Sequence, residues 1–244
     1  MLDAKMPSSA VEADIAYAGA LGSKPEWHTA RLSVPAGEGP FPLVVYFHGG
    51  FWKPEWDRGT TLSQLVTGTF SAAAGGETDP AHGAEASLLG RVATLDVEYS
   101  RVNQDEPSLS EGGGGWPGTH LDALAAVNAL AVLQRTPSSG AAVAVAAARV
   151  DLRAAVVSGH SAGGQMALWL GMLSSLPAAR RATLADAVGA VSGAAAAAAV
   201  AAGLDGAIRI VGAVGLAAVA DLDAAGREGI SDTHDAIPNL FWRR

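Results

Sequence analysis

A serine lies at the centre of a pattern of small residues, Gly159-His160-Ser161-Ala162-Gly163. β-Branched residues precede the pattern and an apolar stretch with helical spacing follows it, which predicts a turn between a buried strand and a helix. Glycines on either side of the serine suit a strained turn, because larger side chains would clash with neighbouring elements. A serine presented there suits nucleophilic acyl transfer, with the N–H groups of the following helix facing the developing negative charge. The alternative is an ordinary glycine-rich turn.

A second glycine turn, His48-Gly49-Gly50-Phe51-Trp52, follows the apolar run at residues 43–47. Because glycine has no side chain, backbone N–H groups in this turn are left uncovered. In an acyl-transfer enzyme they would combine with the N–H of Ala162 to bind the oxyanion of the tetrahedral intermediate. His48 is expected to hold the loop by hydrogen bonds rather than to act as a base. A simple glycine turn explains this motif alone, but two such turns in this order favour the catalytic interpretation.

Apolar strands that alternate with helices are predicted to position both turns. The predicted strands lie at residues 28–35, 43–47, 92–97 and 154–159, with a further buried run within 208–220. Helices are predicted at 118–134, where Thr119 and Asp122 offer a capping box, and at 162–173. This alternation predicts an α/β fold with a largely parallel sheet and helices on both faces. The 244 residues are interpreted as a single domain, 1–244, with an irregular insertion at 71–89.

The composition argues against several classes of function. A formal net charge of -8 argues against nucleic acid or an anionic membrane as a partner. Since the chain has no cysteine, it has no disulfide, thiolate nucleophile or cysteine-based zinc site. The acidic N-terminal residues lack the apolar core of a signal peptide, which predicts a cytoplasmic protein. Two alanine tracts, 141–148 and 193–203, are predicted to be exposed helix or linker, and each is too short to span a membrane.

Five segments, in order along the chain, resemble the α/β-hydrolases of the esterase/lipase and kynurenine formamidase type: VVYFHGGFW, LDVEYSRV, GGGWPGTHLDALAAVNAL, VVSGHSAGGQMALWLG and VGLAAVADL. The resemblance covers residues 16–242, and the HGG-x-W form of the loop is closer to the formamidase-like branch. It implies a serine hydrolase that cleaves a small carboxylic ester or aryl formamide through an acyl-enzyme on Ser161, with no cofactor or metal. By the same resemblance, the oxyanion-hole donors are Gly49, Gly50, Phe51 and Ala162, and the pocket walls include Trp52 and Trp116.

A third glycine-rich stretch, at residues 113–118, satisfies the dinucleotide-binding pattern G-x-G-x-x-G. It follows a polar segment instead of a strand, and no acid ends a second strand at the required distance. The sequence also has no lysine where a phosphate-binding P-loop needs one. No cofactor is therefore predicted.

The resemblance places the catalytic acid and histidine after later strands, but no apolar strand run follows residue 220. It therefore implies that the C-terminal strands carrying both groups are missing. Asp221 and His234 are the candidates to replace them, whereas His160 is a poor base because adjacent side chains in such a turn diverge. The alternative function is a truncated or pseudoenzyme chain that binds a ligand or partner without efficient catalysis. The strand within 208–220 is then expected to be an exposed sheet edge that is prone to association. The sequence leaves the substrate and the oligomeric state open.

Overall fold

The structure is a computed structural model, which describes residues 10–18, 26–61, 63, 91–102, 114–136 and 142–228. Six strands form one sheet: β1 (Val11–Ala16), β2 (Thr29–Val34), β3 (Phe41–Phe47), β4 (Ala93–Val97), β5 (Val150–His160) and β6 (Ile210–Leu216). Five helices accompany it in the described residues: α1 (Gly118–Arg135), α2 (Ala142–Ala147), α3 (Ala162–Ser175), α4 (Ala178–Ala202) and α5 (Leu222–Glu228). The predicted insertion at 71–89 lies outside the described residues.

The sheet has the strand order β1-β2-β4-β3-β5-β6. The first two strands run antiparallel to their neighbours, whereas β4, β3, β5 and β6 are parallel to one another. The carboxyl ends of these four strands therefore meet at one edge of the sheet, where ligands bind in open α/β sheets. The predicted α/β class with a largely parallel sheet is confirmed.

The buried strand runs build the core as their composition predicts. All five residues of β4 are buried, and Leu43, Val45 and Val157 are at most 1% exposed on β3 and β5. Helix α3 packs against β3, β5 and β6, and it buries Met166 and Leu170 completely. Each such aliphatic side chain contributes about 1.5–3 kcal/mol on burial, so the sheet and α3 hold the Ser161 turn on a rigid base.

The first strand was not predicted from the sequence. β1 alternates in exposure and carries Glu12 and Asp14 on its outer side, which gives it little apolar signal. It pairs with β2 over six residues, and the Asp14 carboxylate accepts hydrogen bonds from Arg31 at 3.0 and 3.1 Å. A short, charged edge strand of this kind is specified by its neighbour rather than by its own composition.

The predicted capping box at the start of α1 is wrong. The helix begins at Gly118 and has no side-chain cap. Instead, the Thr119 hydroxyl donates to the Ser100 carbonyl at 2.7 Å, and Asp122 accepts from the Ser100 N–H at 3.0 Å. Both side chains therefore fasten the loop after β4 to the first turn of α1, because their polar atoms are bonded to Ser100 and not to the helix end.

The alanine tracts differ in part from the prediction. The first forms α2 and packs inward, since Ala144, Ala146 and Ala147 are at most 2% exposed. The second is mostly exposed, as predicted, but it continues an earlier helical segment into the 25-residue α4. Among the described helices, α4 alone is long and apolar enough to cross a membrane by length and composition, and non-helical backbone at Gly193 interrupts it.

The expected sheet edge is confirmed at β6. No described strand pairs with its outer side, and Val211, Val214 and Leu216 are 53%, 45% and 43% exposed. The strand contains neither a charged residue nor proline, the two devices that commonly block pairing at an edge. Its association with other chains stays a prediction.

Candidate active site

Ser161 occupies the turn between β5 and α3, with φ 53° and ψ -117°. A side chain in this region of backbone space is strained, and such strain persists where the surrounding structure holds it. Here the Ser161 N–H donates to the Leu216 carbonyl at 2.9 Å, while the Ser161 carbonyl accepts from Gln165 at 3.2 Å and Val219 at 3.3 Å. The turn is therefore fixed by β6 and by the first turn of α3.

The glycines around Ser161 are required by close packing. A Cβ atom on Gly159 would collide with the backbone of Gly163, and one on Gly163 would collide with the carbonyl oxygens of Phe47 and His48. Helix α3 thus approaches the end of β3 more closely than any residue with a side chain would allow. This confirms the predicted role of small residues in the turn.

The loop after β3 lies directly beside Ser161. A Cβ atom on Gly49 would lie 3.3 Å from the Ser161 Cβ and 2.8 Å from Nδ1 of His160. The next three residues all have positive φ, at 113° for Gly50, 52° for Phe51 and 57° for Trp52. This run turns the loop sharply back across the end of β5.

The backbone donors predicted for an oxyanion hole have no hydrogen-bond partner among the described residues. No hydrogen bond to a described residue occupies the N–H groups of Gly49, Gly50, Phe51 or Ala162. The first three of these residues line the same cavity as Ser161, and Ala162 is the first residue of α3. Buried or half-buried N–H groups without protein partners can bind a negatively charged oxygen. Their role in binding an oxyanion stays a prediction.

His48 holds the loop by hydrogen bonds, as predicted. It is 1% exposed, and its Nδ1 lies 2.7 Å from the Gly49 carbonyl while its Nε2 lies 2.9 Å from Oε1 of Glu98. Its ring stacks on Tyr99 with centroids 4.3 Å apart, and the Tyr99 hydroxyl donates to the His48 carbonyl at 2.7 Å. Both ring nitrogens are therefore engaged behind the loop, away from Ser161.

Glu98 anchors this arrangement, and the sequence analysis missed it. Its carboxylate lies 2.5 Å from Nη1 of Arg101 and also accepts from the Arg58 N–H at 3.0 Å. Burial alone would raise the pKa of Glu98, but the hydrogen bond and electrostatic interaction with His48 and the positive charge of Arg101 outweigh it, so the pKa is lowered. An acid at the end of a buried strand run was the available sequence signal.

A cavity of about 390 Å³ opens over Ser161. Its lining consists of the glycine loop, the Ser161 turn and one further loop: Gly49, Gly50, Phe51, Trp56, Thr60, Thr61, His160 and Ser161. The expectation that Trp52 forms a pocket wall is wrong, because this side chain is 1% exposed and belongs to the core. Trp116 does not line this cavity either and packs edge-on against His120 and Trp169. The indole in the wall is that of Trp56.

Asp221 and His234 are the two candidates to complete a triad with Ser161. Asp221 is exposed, and its carboxylate accepts from the Ala224 N–H at 2.8 Å at the start of α5, as a helix cap does. His234 lies outside the described residues. Within the described part of the chain, no imidazole or carboxylate hydrogen-bonds the Ser161 hydroxyl, and no three acidic or histidine side chains cluster as metal ligands.

Comparisons with known proteins bear on the fold. No family model matches the chain, and no curated protein matches its sequence. Inhibited and uninhibited structures of esterase B from Lactobacillus rhamnosis match it at 16% identity and a TM-score of 0.53, covering 98% of this chain. The fold is of the α/β-hydrolase type. Esterase LipW from Mycobacterium marinum matches at 19% identity over 68% of this chain and 39% of its own, with a TM-score of 0.40.

This chain spans only part of the length of esterase B. This chain covers 59% of the inhibited esterase B chain and 58% of the uninhibited one. The likeness at this level of identity concerns the fold alone.

Proposed function

We propose that the protein is a serine hydrolase that cleaves a small carboxylic ester through an acyl-enzyme on Ser161. The observation that supports this most directly is the strained Ser161 turn, which lies in a cavity beside three loop residues whose N–H groups have no described partner. A nucleophile next to preorganised donors is the arrangement that acyl transfer needs. The fold shared with esterase B is compatible with this chemistry.

In the proposed reaction, Ser161 Oγ attacks the ester carbonyl and loses its proton to a general base. The carbonyl oxygen becomes an oxyanion that accepts hydrogen bonds from the N–H groups of Gly49, Gly50, Phe51 and Ala162. The C–O bond to the alcohol then breaks, the alcohol leaves with the proton, and water hydrolyses the acyl-serine. Asp221 and His234 are the candidates for the acid and the base.

Membership of the formamidase-like branch would narrow the proposed substrate. Its support is the HGG-x-W form of the loop, and its substrate would be an aryl formamide whose amine leaves in place of an alcohol. The steps at Ser161 are otherwise the same. We propose a cytoplasmic enzyme that needs no cofactor, with a small molecule and neither nucleic acid nor membrane as its partner.

A ligand-binding protein without efficient catalysis is the second candidate. It is favoured by the absence, among the described residues, of an imidazole bonded to the Ser161 hydroxyl. In serine proteases, loss of the base costs on the order of a million-fold in turnover, while an oxyanion hole alone retains roughly 10³ to 10⁴ over water. Retention of the cavity without the base would leave binding nearly intact.

A fluorophosphonate probe and p-nitrophenyl acetate together test the proposal. The native protein should be labelled at Ser161, as located by peptide mass spectrometry, and Ser161→Ala should abolish both labelling and ester turnover. Ser175→Ala is the matched control, because this exposed serine lies at the far end of the same helix and donates to Gly171 at 3.0 Å. A folded sample that is not labelled, with ester turnover equal in Ser161→Ala, supports the binding protein instead.

A further inference from the structure

The wall of the cavity includes one large aromatic side chain that the proposed chemistry does not use. Trp56 is 43% exposed and lines the cavity together with Ser161. A single exposed apolar side chain needs no explanation on an ordinary surface. Here, however, the exposed indole faces the space in which the reacting group would bind.

Trp56 is held rigidly against the glycine loop. A Cβ atom on Gly50 would collide with the Trp56 Cβ and lie 3.0 Å from its Cδ1, so the Trp56 side chain packs directly against the Gly50 backbone. The Trp56 carbonyl accepts from Nη1 of Arg101 at 2.8 Å, and its N–H donates to Lys53 at 3.3 Å. The same Arg101 contacts Glu98, which holds His48. The Trp56 backbone and the glycine loop are thus held by one buried cluster.

Apart from His160, the described lining of the cavity contains no titratable side chain. None of the described residues that line the cavity is Asp, Glu, Lys or Arg, and the lining next to Trp56 consists of the Phe51 ring and the hydroxyl-bearing Thr60 and Thr61. The Thr60 hydroxyl is committed to Asp57 at 3.0 Å. Away from the N–H groups beside Ser161, a charged group entering this space would lose water without gaining a partner of opposite charge. The lining therefore suits a group without charge.

We infer that Trp56 is a specificity-determining residue that stacks against an uncharged aromatic ring of the substrate. The rigid indole presents its ring at no further ordering cost, and offset or edge-on aromatic pairs gain more than an equal apolar area does. As a statement about specificity, the inference rests on the proposed function. The binding of the ring itself does not require turnover.

The first test measures binding in Ser161→Ala, which removes hydrolysis from the experiment. Benzyl alcohol and cyclohexylmethanol, which differ only in the aromaticity of the ring, are titrated by ligand-detected NMR. We expect benzyl alcohol to bind about 3- to 10-fold more tightly, because stacking requires the aromatic ring. Simple hydrophobic burial gives the opposite order, since the saturated ring is the more apolar. Equal binding, the opposite order or no binding of either alcohol overturns the inference.

Variants in the same background locate the effect. Trp56→Phe should keep the preference for the aromatic alcohol, and Trp56→Leu should remove it. Met172→Ala is the control, because Met172 is 48% exposed on α3 but does not line the cavity. Circular dichroism checks that each variant folds. If Trp56→Leu does not fold, the comparison of the two alcohols in the protein that retains Trp56 still tests the inference. Persistence of the preference in folded Trp56→Leu contradicts a role for Trp56.

The second test uses the Ser161 protein with benzyl acetate and cyclohexylmethyl acetate. The ratio of their kcat/KM values should fall about 3- to 10-fold in Trp56→Leu and stay near the original value in Trp56→Phe. If neither ester is hydrolysed, the proposed function fails, while the binding experiment still decides the role of Trp56. If both are hydrolysed and Trp56→Leu leaves the ratio unchanged, the function stands and this inference is wrong.

Discussion

Glu98 and His48 are hydrogen-bonded at 2.9 Å behind the glycine loop, and His48 in turn contacts the Gly49 carbonyl at 2.7 Å. These two contacts connect a buried acid at the end of β4 to the loop that lies beside Ser161. Because Glu98 and Arg101 are each 5% exposed, the acid also balances a buried positive charge. The support of the loop and the stability of the fold therefore depend on the same carboxylate.

Glu98→Gln should destabilise the protein by about 3 kcal/mol, because it leaves the buried Arg101 charge without its counter-charge. The amide keeps the shape of the side chain and part of its hydrogen bonding. The measurement is the free energy of unfolding in urea at pH 7. Asp14→Asn is the control: the Asp14–Arg31 pair is about half exposed, and an exposed pair contributes only about 0–1 kcal/mol. Equal losses in the two variants would contradict the role assigned to Glu98.

His120 should make the stability of the fold depend on pH. Burial lowers the pKa of His120 to about 4, against the opposing effect of its hydrogen bond to Gln165 at 2.8 Å. Since the folded pKa lies below the unfolded value of about 6.5, this contribution is fully present above pH 6.5 and is lost as the pH falls toward 4. The expected loss is about 3 kcal/mol between pH 7 and pH 4.

Urea unfolding at pH 7, 6, 5 and 4 measures this dependence. In His120→Gln the side chain cannot titrate, so its stability should fall less over the same interval than that of the native protein. Carboxylates contribute equally to both curves, and the difference between the two slopes isolates His120. Parallel curves would show that His120 is not buried in its neutral form.

Local patterns explain which parts of this fold the sequence predicts. The strands at 43–47 and 92–97 and the two glycine turns are predictable because burial on both faces selects continuous apolar residues, and close packing selects glycine. Trp56 and Glu98 are not predictable in this way, because the contacts that hold them come from distant parts of the chain. Glu98 contacts His48, which lies 50 residues away, and Trp56 stands in a polar loop with no periodicity. The position of Glu98 after a buried strand run is a local signal, but the identity of its partner is not, and Trp56 has no local signal at all.

The close approach of α3 to β3 should make Gly163 intolerant of any side chain. Gly163→Ala places a methyl group against the carbonyl oxygens of Phe47 and His48, which are backbone atoms and cannot rotate away. We expect a loss of about 1–3 kcal/mol, the usual cost of overpacking. Gly206→Ala is the control, because no atom lies within 4 Å of its added Cβ. Thermal unfolding of both variants checks this, and a Gly163→Ala protein as stable as Gly206→Ala would contradict the packing argument.

The free side of β6 should cause self-association that a charge can suppress. Its backbone groups have no described partner on that side, and Val214 is 45% exposed on a strand without charged residues. Edge strands of this kind pair with other chains, and a lysine blocks such pairing because its charge would have to be buried. Light scattering against concentration should show less association in Val214→Lys than in the native protein. Val191→Lys, at a 74% exposed position on α4, adds the same charge away from the edge and should leave association unchanged. A native protein that stays monomeric at all concentrations, or an equal effect of the two lysines, would show that β6 is not the associating surface.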